Sequence, residues 1–379
     1  MNVLTVDLGV VPFQDPAELI EQLTTLTGWS ESLIEAGAHR VDVVQRFHRD
    51  ALIEKNGVVY RFCADHGSML YPATSLGRFR KAIELSRPDV AHVNGLQFRC
   101  GTRLLRAVLP HHIPIVVQDH ANGLPAGVAS RALSRVAFES VDGFLFTGIQ
   151  QADRWRHAGV IHDRHRVYDV LESSTTLRPI ARDVARELTG INGSPALLWV
   201  GRLIANKDPL TVLAGFERII PSCPDARLTM VFGSDDLLPQ VKAKLEAVPA
   251  LACRVRLIGF VPHAELPAYY SAADIFVLGS HHEGSGYALI EACACGTVPV
   301  VTSIPSFRTI TGAGARGVLW PPDDEVRLAQ ALLDVASRDL ASLRIDVTTH
   351  FERELSWPAV ARRALEIYAD VCERRRRSH

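Results

Sequence analysis

Three clusters of polar residues, each following an apolar run, have the types and spacing of a ligand site. The first lies in LLWVGRLIANKDPLTVLAGF, 197–216. The apolar run ends at Val200, Gly201 permits a tight turn, and Arg202 follows it. Asp208 and Pro209 read as an N-cap and first helical residue. Lys207 therefore stands beside a helix N-terminus, whose free N–H groups and dipole attract anions. Two cations there suit a diphosphate; a pair of solvated cations in a loop is the competing reading.

The second cluster is HHEGSGYALIEACACGTVPVV, 281–301. Its Gly-Ser-Gly, including Ser285 and Gly286, lets backbone approach a ligand and opens another helix. Glu283 precedes that helix and Glu291 lies within it among apolar neighbours. A buried carboxylate needs donors, and ribose hydroxyls or a structural hydrogen bond would supply them. Eight helical residues place the two carboxylates about 12 Å apart along the axis. Glycosidase pairs sit roughly 5–9.5 Å apart, so binding is favoured over hydrolysis. The third cluster is IPIVVQDHANG, 113–123, which brings Gln118, Asp119 and His120 to the end of a buried run. His120 can bond a sugar hydroxyl or serve the loop's own structure.

The elements that must position these residues alternate strand and helix along the whole chain, the pattern of parallel α/β sheets. Strands are expected at 2–7, 40–46, 58–63, 89–94, 113–118, 143–147 and 167–171, and again at 196–200, 227–232, 254–258, 274–278, 298–302 and 317–320. Helices are expected over 16–36, 102–109, 127–139, 209–219, 238–247, 285–295 and 325–337. The expected fold is α/β, two doubly wound Rossmann-like domains facing across a cleft, with ligands at the carboxyl ends of the strands. The polar stretch around 177–194 reads as the junction. The expected domains are 1–180 and 190–356, with a last helix over 357–379 crossing back to the first domain.

Length and composition agree with this division. A chain of 379 residues exceeds what one core usually supports. A net charge of -1 supplies no field to recruit nucleic acid. Arg374 to Arg377 reads as a solvated helix end, with an anionic-lipid contact as the alternative. The opening residues read as a first strand and not a signal peptide. The seven cysteines are scattered without a C-x-x-C pair, which suits a reduced cytoplasm.

The segments GRLIANKDP, LIGFVPHAELPAYYSAADIFVLGS and HEGSGYALIEACACGTVPVVTS, followed by GVLWPPDDEVRLAQALLDV and LSWPAVARRALEIY, resemble in their order the retaining, nucleotide-sugar-dependent glycosyltransferases of the GT-B fold, family 4. The resemblance covers about the last 180 residues continuously, and IPIVVQDHANG is its best match in the first half. It implies that Arg202 and Lys207 meet the donor diphosphate. Glu283 would lie near the donor sugar and Glu291 on the ribose. Gly201, Ser285, Gly286 and Tyr287 would contact phosphate and sugar, and Val261 would line the base. His120 would approach the transferred sugar, with Gly9 and Asp119 on the acceptor side. Catalysis would rest on His120, Glu283, Arg202 and Lys207.

Two departures stand out. DLGVVPFQ offers only Gly9 where the family often carries Gly-Gly, and VLESSTTL replaces the usual Asn-Gly, making Glu172 to Thr175 a variation. No Asp-x-Asp occurs, which agrees with neutralisation by protein cations instead of a metal. The expected partners are a nucleoside diphosphate sugar and an unidentified hydroxyl acceptor, with no cofactor or metal. A GT-B-like epimerase or phosphorylase, or a non-catalytic sugar-nucleotide-binding subunit, are the alternatives.

Overall fold

The computed structural model describes residues 1–9, 12–64 and 76–377, the side chains of 76–79 excepted. The chain forms two compact units, Met1–Ser174 with Trp357–His379, and Thr175–Ser356.

The first unit is built on β1 (Asn2–Asp7), β2 (Arg40–Phe47), β3 (Ala51–Lys55), β4 (Val58–Ala64), β5 (Val90–Asn94), β6 (Ile115–Gln118), β7 (Gly143–Phe146) and β8 (Arg166–Asp169). They form one sheet in the order β3-β4-β2-β1-β5-β6-β7-β8. Every pairing is parallel except β3 with β4. The inner strands read as apolar runs because both faces are covered; every residue of β6 and β7 is buried. β3 is the one strand that the apolar runs did not reveal. It is a half-exposed edge strand, and its turn is Asn56-Gly57, with both residues at positive φ. That dipeptide is a strong hairpin signal.

The second unit carries β9 (Ala196–Gly201), β10 (Arg227–Phe232), β11 (Val255–Gly259), β12 (Ile275–Leu278), β13 (Val298–Thr302) and β14 (Val318–Trp320), ordered β11-β10-β9-β12-β13-β14. All its pairings are parallel. The helices Pro209–Ile219 and Leu238–Ala247 have the expected bounds.

The stretch expected as a junction is instead part of the second unit. It contains the helix Arg182–Thr189, whose Arg182 and Arg186 both pair with the buried carboxylate of Asp274. Asp274 also accepts the Ala196 N–H at 2.8 Å, which ties this helix to the start of β9. A polar composition therefore concealed a docked helix, because its arginines face a buried acid. The long helix expected over 16–36 is two helices, Pro16–Gln22 and Thr24–Glu35, broken at Leu23 with ψ 66°.

The last helix, Trp357–Arg377, packs on the first unit. The Tyr368 hydroxyl lies 2.6 Å from Nδ1 of buried His92, and Asp370 accepts the Tyr168 hydroxyl at 2.7 Å. Most of the terminal arginine run is paired: Arg374 with Asp370, Arg375 with Asp142, and Arg377 with Glu373. Among the described residues, no helix is long and apolar enough to cross a membrane.

The tightest point of this packing is Gly28, where a Cβ would fall 2.4–2.7 Å from the Trp357 indole. Gly28→Ala would gain up to about 1 kcal/mol of helix propensity. The clash opposes that gain with an overpacking cost of roughly 1–3 kcal/mol. We expect a net loss, measured as a lowered midpoint in thermal and urea unfolding.

Candidate functional site

In each sheet the strand order reverses at one point, and there two carboxyl ends diverge to leave space. In the second unit that point lies between β9 and β12. The loop after β9 runs through Arg202 to Asp208, which sits at φ 42° and caps the helix Pro209–Ile219 by accepting the Thr211 N–H. The loop after β12 comes close because Gly279 has no side chain: a Cβ there would be 3.0 Å from the Asp208 carbonyl oxygen. The two loops are then joined. His281 N–H donates to the Asn206 carbonyl at 2.9 Å, and the Asn206 amide donates to the His282 carbonyl at 2.9 Å.

This joining brings Lys207 and Glu283 into an ion pair, with side chains only 14% and 13% exposed. Lys207 was expected as a second free cation, but Glu283 already answers its charge. The pairing follows from burial, since an unpartnered charge at that depth is costly. Arg202 is exposed and has no ion pair among the described residues. Gly286, at φ 81°, opens the helix Tyr287–Ala294, and a Cβ would lie 2.5 Å from the Phe307 ring. Ser285 is buried beneath it, and Tyr287 is exposed.

Of the two kinds of donor expected for the buried Glu291 carboxylate, the structural one is present: the Tyr270 hydroxyl donates to Oε2 at 2.9 Å, and Oε1 lies 2.6 Å from His263 Nε2. The Glu291 hydrogen bond raises the His263 pKa against the opposing effect of burial. The sequence offered both partners in VPHAELPAYY, but periodicity alone does not say which ring reaches the helix. Val261 follows β11 and is buried, whereas its neighbour Phe260 is 76% exposed.

One group among the described residues has metal-ligand geometry. Asp208, His281 and Asp323 each offer an atom within 4.8 Å of the others. His281 Nε2 lies 3.5 Å from Asp208 and 3.6 Å from Asp323, so the three side chains also hold one another without an ion.

In the first unit the reversal lies between β1 and β5, and a cavity of about 270 Å³ opens there. Asp7 and Gly9 line it from the end of β1, Asn94 from β5, Gln118 and His120 from β6, and Glu172 from the segment after β8. His120 Nδ1 is 2.9 Å from Glu172 Oε2, while Nε2 finds no partner among the described residues. Burial pushes His120 down, but the bond to Glu172 and the charges of Glu172, Asp7 and Asp119 outweigh it and raise the pKa. Burial likewise raises Asp7, against its hydrogen bond from the Gly9 N–H.

Asp119, expected on the acceptor side, does not line the cavity. It accepts the Asn122 N–H at 3.1 Å and lies 3.6 Å from Arg154, shaping the loop that carries His120. Desolvation raises its pKa to about 6, with Asn122 and Arg154 pulling the other way. Asp7 and Glu172 were not singled out as site residues. Asp7 had a signal, an acid at the carboxyl end of the first strand. Glu172 had none beyond its departure from the family pattern.

The His120–Glu172 pair gives a pH test. A histidine held above its unfolded value of about 6.5 contributes stability below that pH and loses it as pH rises through the folded pKa. Glu172→Gln removes the carboxylate charge. We therefore expect the His120 NMR titration midpoint to fall, and the gap in melting temperature from wild type to be largest below pH 6.5 and to close at alkaline pH.

Comparison with known proteins agrees with this architecture. Residues 24–168 match the model described as Glycosyltransferase Family 4, and residues 194–338 match that of Glycosyl transferases group 1. The chain is 33% identical over 208 residues to a D-inositol 3-phosphate glycosyltransferase of Thermobispora bispora, covering 52% of this chain and 48%, about half, of that protein. It is 26% identical over 327 residues to the GDP-mannose:cellobiosyl-diphosphopolyprenol alpha-mannosyltransferase of Xanthomonas oryzae, covering 83% and 82% of the two chains. The fold matches that of Anabaena HepE in complex with UDP, with a TM-score of 0.72 at 16% identity, over 98% of this chain and all of that one. With both halves matched in order and both sheets reversing where such folds bind ligands, the chain belongs to glycosyltransferase family 4 and has the GT-B fold.

Proposed function

We propose that the chain transfers a sugar from a nucleoside diphosphate sugar to an acceptor hydroxyl, with retention of configuration and without a metal. The observation that carries this reading is the joined pair of loops after β9 and β12. They carry the Lys207–Glu283 pair on the segments that lead into two helix N-termini, with Arg202 on the first of those loops. Such an N-terminus stabilises a phosphate through free N–H groups. The printed names of relatives, one a GDP-mannose-dependent transferase and one a complex with UDP, support a nucleoside diphosphate as the carrier.

Leaving-group stabilisation by one preorganised donor can be worth about 3–4 kcal/mol in catalysis. Arg202 supplies one cation outright. Lys207 supplies a second when the diphosphate competes with Glu283 for its ammonium. Glu283 and Glu291 both have protein partners, which favours same-face attack assisted by the departing phosphate over a carboxylate nucleophile. On the first unit, His120 lines the cavity, and its Nε2 is buried without a partner among the described residues. Its role is a hydrogen bond to the transferred sugar near the reacting carbon.

Two variants separate these roles. Glu291→Gln keeps an acceptor for Tyr270 but removes the charge offered to the ribose. It should weaken UDP or GDP binding by about 1.5–3 kcal/mol, the range for charged hydrogen bonds, in calorimetry. His120→Ala should leave that affinity within error while lowering kcat, because its bond forms in the transition state. If His120→Ala turns over normally, the histidine serves only the loop. If Glu291→Gln binds nucleotide normally, Glu291 serves only Tyr270 and His263.

Metal independence is checked separately. Turnover measured in excess chelator should match the untreated rate. Loss on chelation with recovery on adding magnesium or manganese would transfer the neutralising role to a metal, and Asp208, His281 and Asp323 would be the first residues to mutate.

A further inference from the structure

The cavity at the β1–β5 reversal has a charge balance that selects its ligand. Asp7, Asp119 and Glu172 are the carboxylates in and behind it. Arg154 answers Asp119 at 3.6 Å, and His120 answers Glu172 at 2.9 Å. Asp7 has no ion pair of its own among the described residues, and its Oδ1 accepts the Gly9 N–H at 2.8 Å. His120, whose charge it shares, is held by Glu172, so three carboxylates face two cations. No lysine or arginine is among the described residues lining the space.

The remaining walls are neutral. Asn94, Gln97 and Gln118 offer amide donors and acceptors, and Trp29 and Phe98 supply ring surface. A volume of about 270 Å³ falls just below the ~300–1,000 Å³ of drug-sized sites, so it suits a single sugar-sized ring. A phosphate placed here would meet Asp7 where the one cationic side chain among the described lining residues, His120, is already held by Glu172, and like charges facing one another across a desolvated contact are strongly unfavourable. An ammonium group would instead supply the partner that Asp7 lacks.

Resting on the glycosyl-transfer reading above, we propose that this cavity is the acceptor subsite and takes a phosphate-free polyol ring, gaining affinity when the ring carries an amine beside Asp7. The hydroxyls of the ring are met by the amide side chains. The hydroxyl that faces His120 is the one positioned to receive the sugar.

The test uses the full chain and three probes of one ring size: inositol, inositol monophosphate, and an amino-deoxyinositol. Binding is followed at pH 7 by calorimetry with UDP or GDP present, in wild type and in Asp7→Asn, which keeps an oxygen for the Gly9 N–H. In wild type the amine should bind most tightly, and the phosphate at least roughly tenfold more weakly than inositol. Asp7→Asn should erase the preference for the amine and narrow the penalty on phosphate. Phosphate binding as tight as inositol would overturn the proposal. So would an amine preference that survives Asp7→Asn, or failure of all three probes to bind. Nucleotide binding, measured in the same titrations, separates these outcomes from failure of the transferase reading. If the probes fail while UDP or GDP still binds and Glu291→Gln weakens it, the acceptor assignment falls and the donor site stands.

Discussion

A parallel sheet covered on both faces has nowhere to put polar chemistry except at the ends of its strands. Both units obey that constraint. β6, β7, β12 and β13 are buried along their entire length, so a charged side chain within them would need a partner inside the core. At the carboxyl ends the strand order reverses once in each sheet, between β1 and β5 and between β9 and β12. The helices that follow depart to opposite faces, and the loops between them are free to carry acids, amides and cations. Every titratable residue named as lining the cavity or forming the Lys207–Glu283 pair sits on such a loop or at a strand end.

From this constraint comes a second one, that charges at these ends must be matched. Glu283 meets Lys207, Glu172 meets His120, and Glu291 meets Tyr270 and His263. Each match holds a side chain in one position, which is the preorganisation that a transferase needs before its substrate arrives. The same matches mean that a ligand must compete for its partners. Lys207 is an ion-pair cation that a diphosphate has to win from Glu283, whereas Arg202 is exposed and already available. Asp7 is the exception, a part-buried carboxylate that accepts a backbone N–H and has no ion pair of its own among the described residues.

Glycine enters this scheme at two places where a side chain would close the site. At Gly279 a Cβ would press on the Asp208 carbonyl, and at Gly286 it would strike Phe307. Both keep the loop after β12 close to its neighbours, and without that approach Glu283 would not reach Lys207.

Much of this was legible in the residues alone, for physical reasons. Strands buried on both faces must be continuous apolar runs, so the run ending at Val200 and the run IFVL at 275–278 announced themselves. Asp208-Pro209 marked a helix start because only a few residue types can cap one, and the observed helix begins at Pro209. The edge strand β3 was missed because an edge strand half in water need not be apolar. Arg182–Thr189 was taken for a linker because its charges are those of a solvated loop, and only the fold placed Asp274 beneath them.

Pairing across long separations was invisible for a similar reason. Lys207 and Glu283 stand 76 positions apart, and His120 and Glu172 stand 52 apart. Residue type says that each can be charged, and local pattern says that each ends a strand. Which charges face one another depends on the strand order and on which glycines let two loops close. Those are properties of the assembled sheet, and the tertiary structure alone decided them.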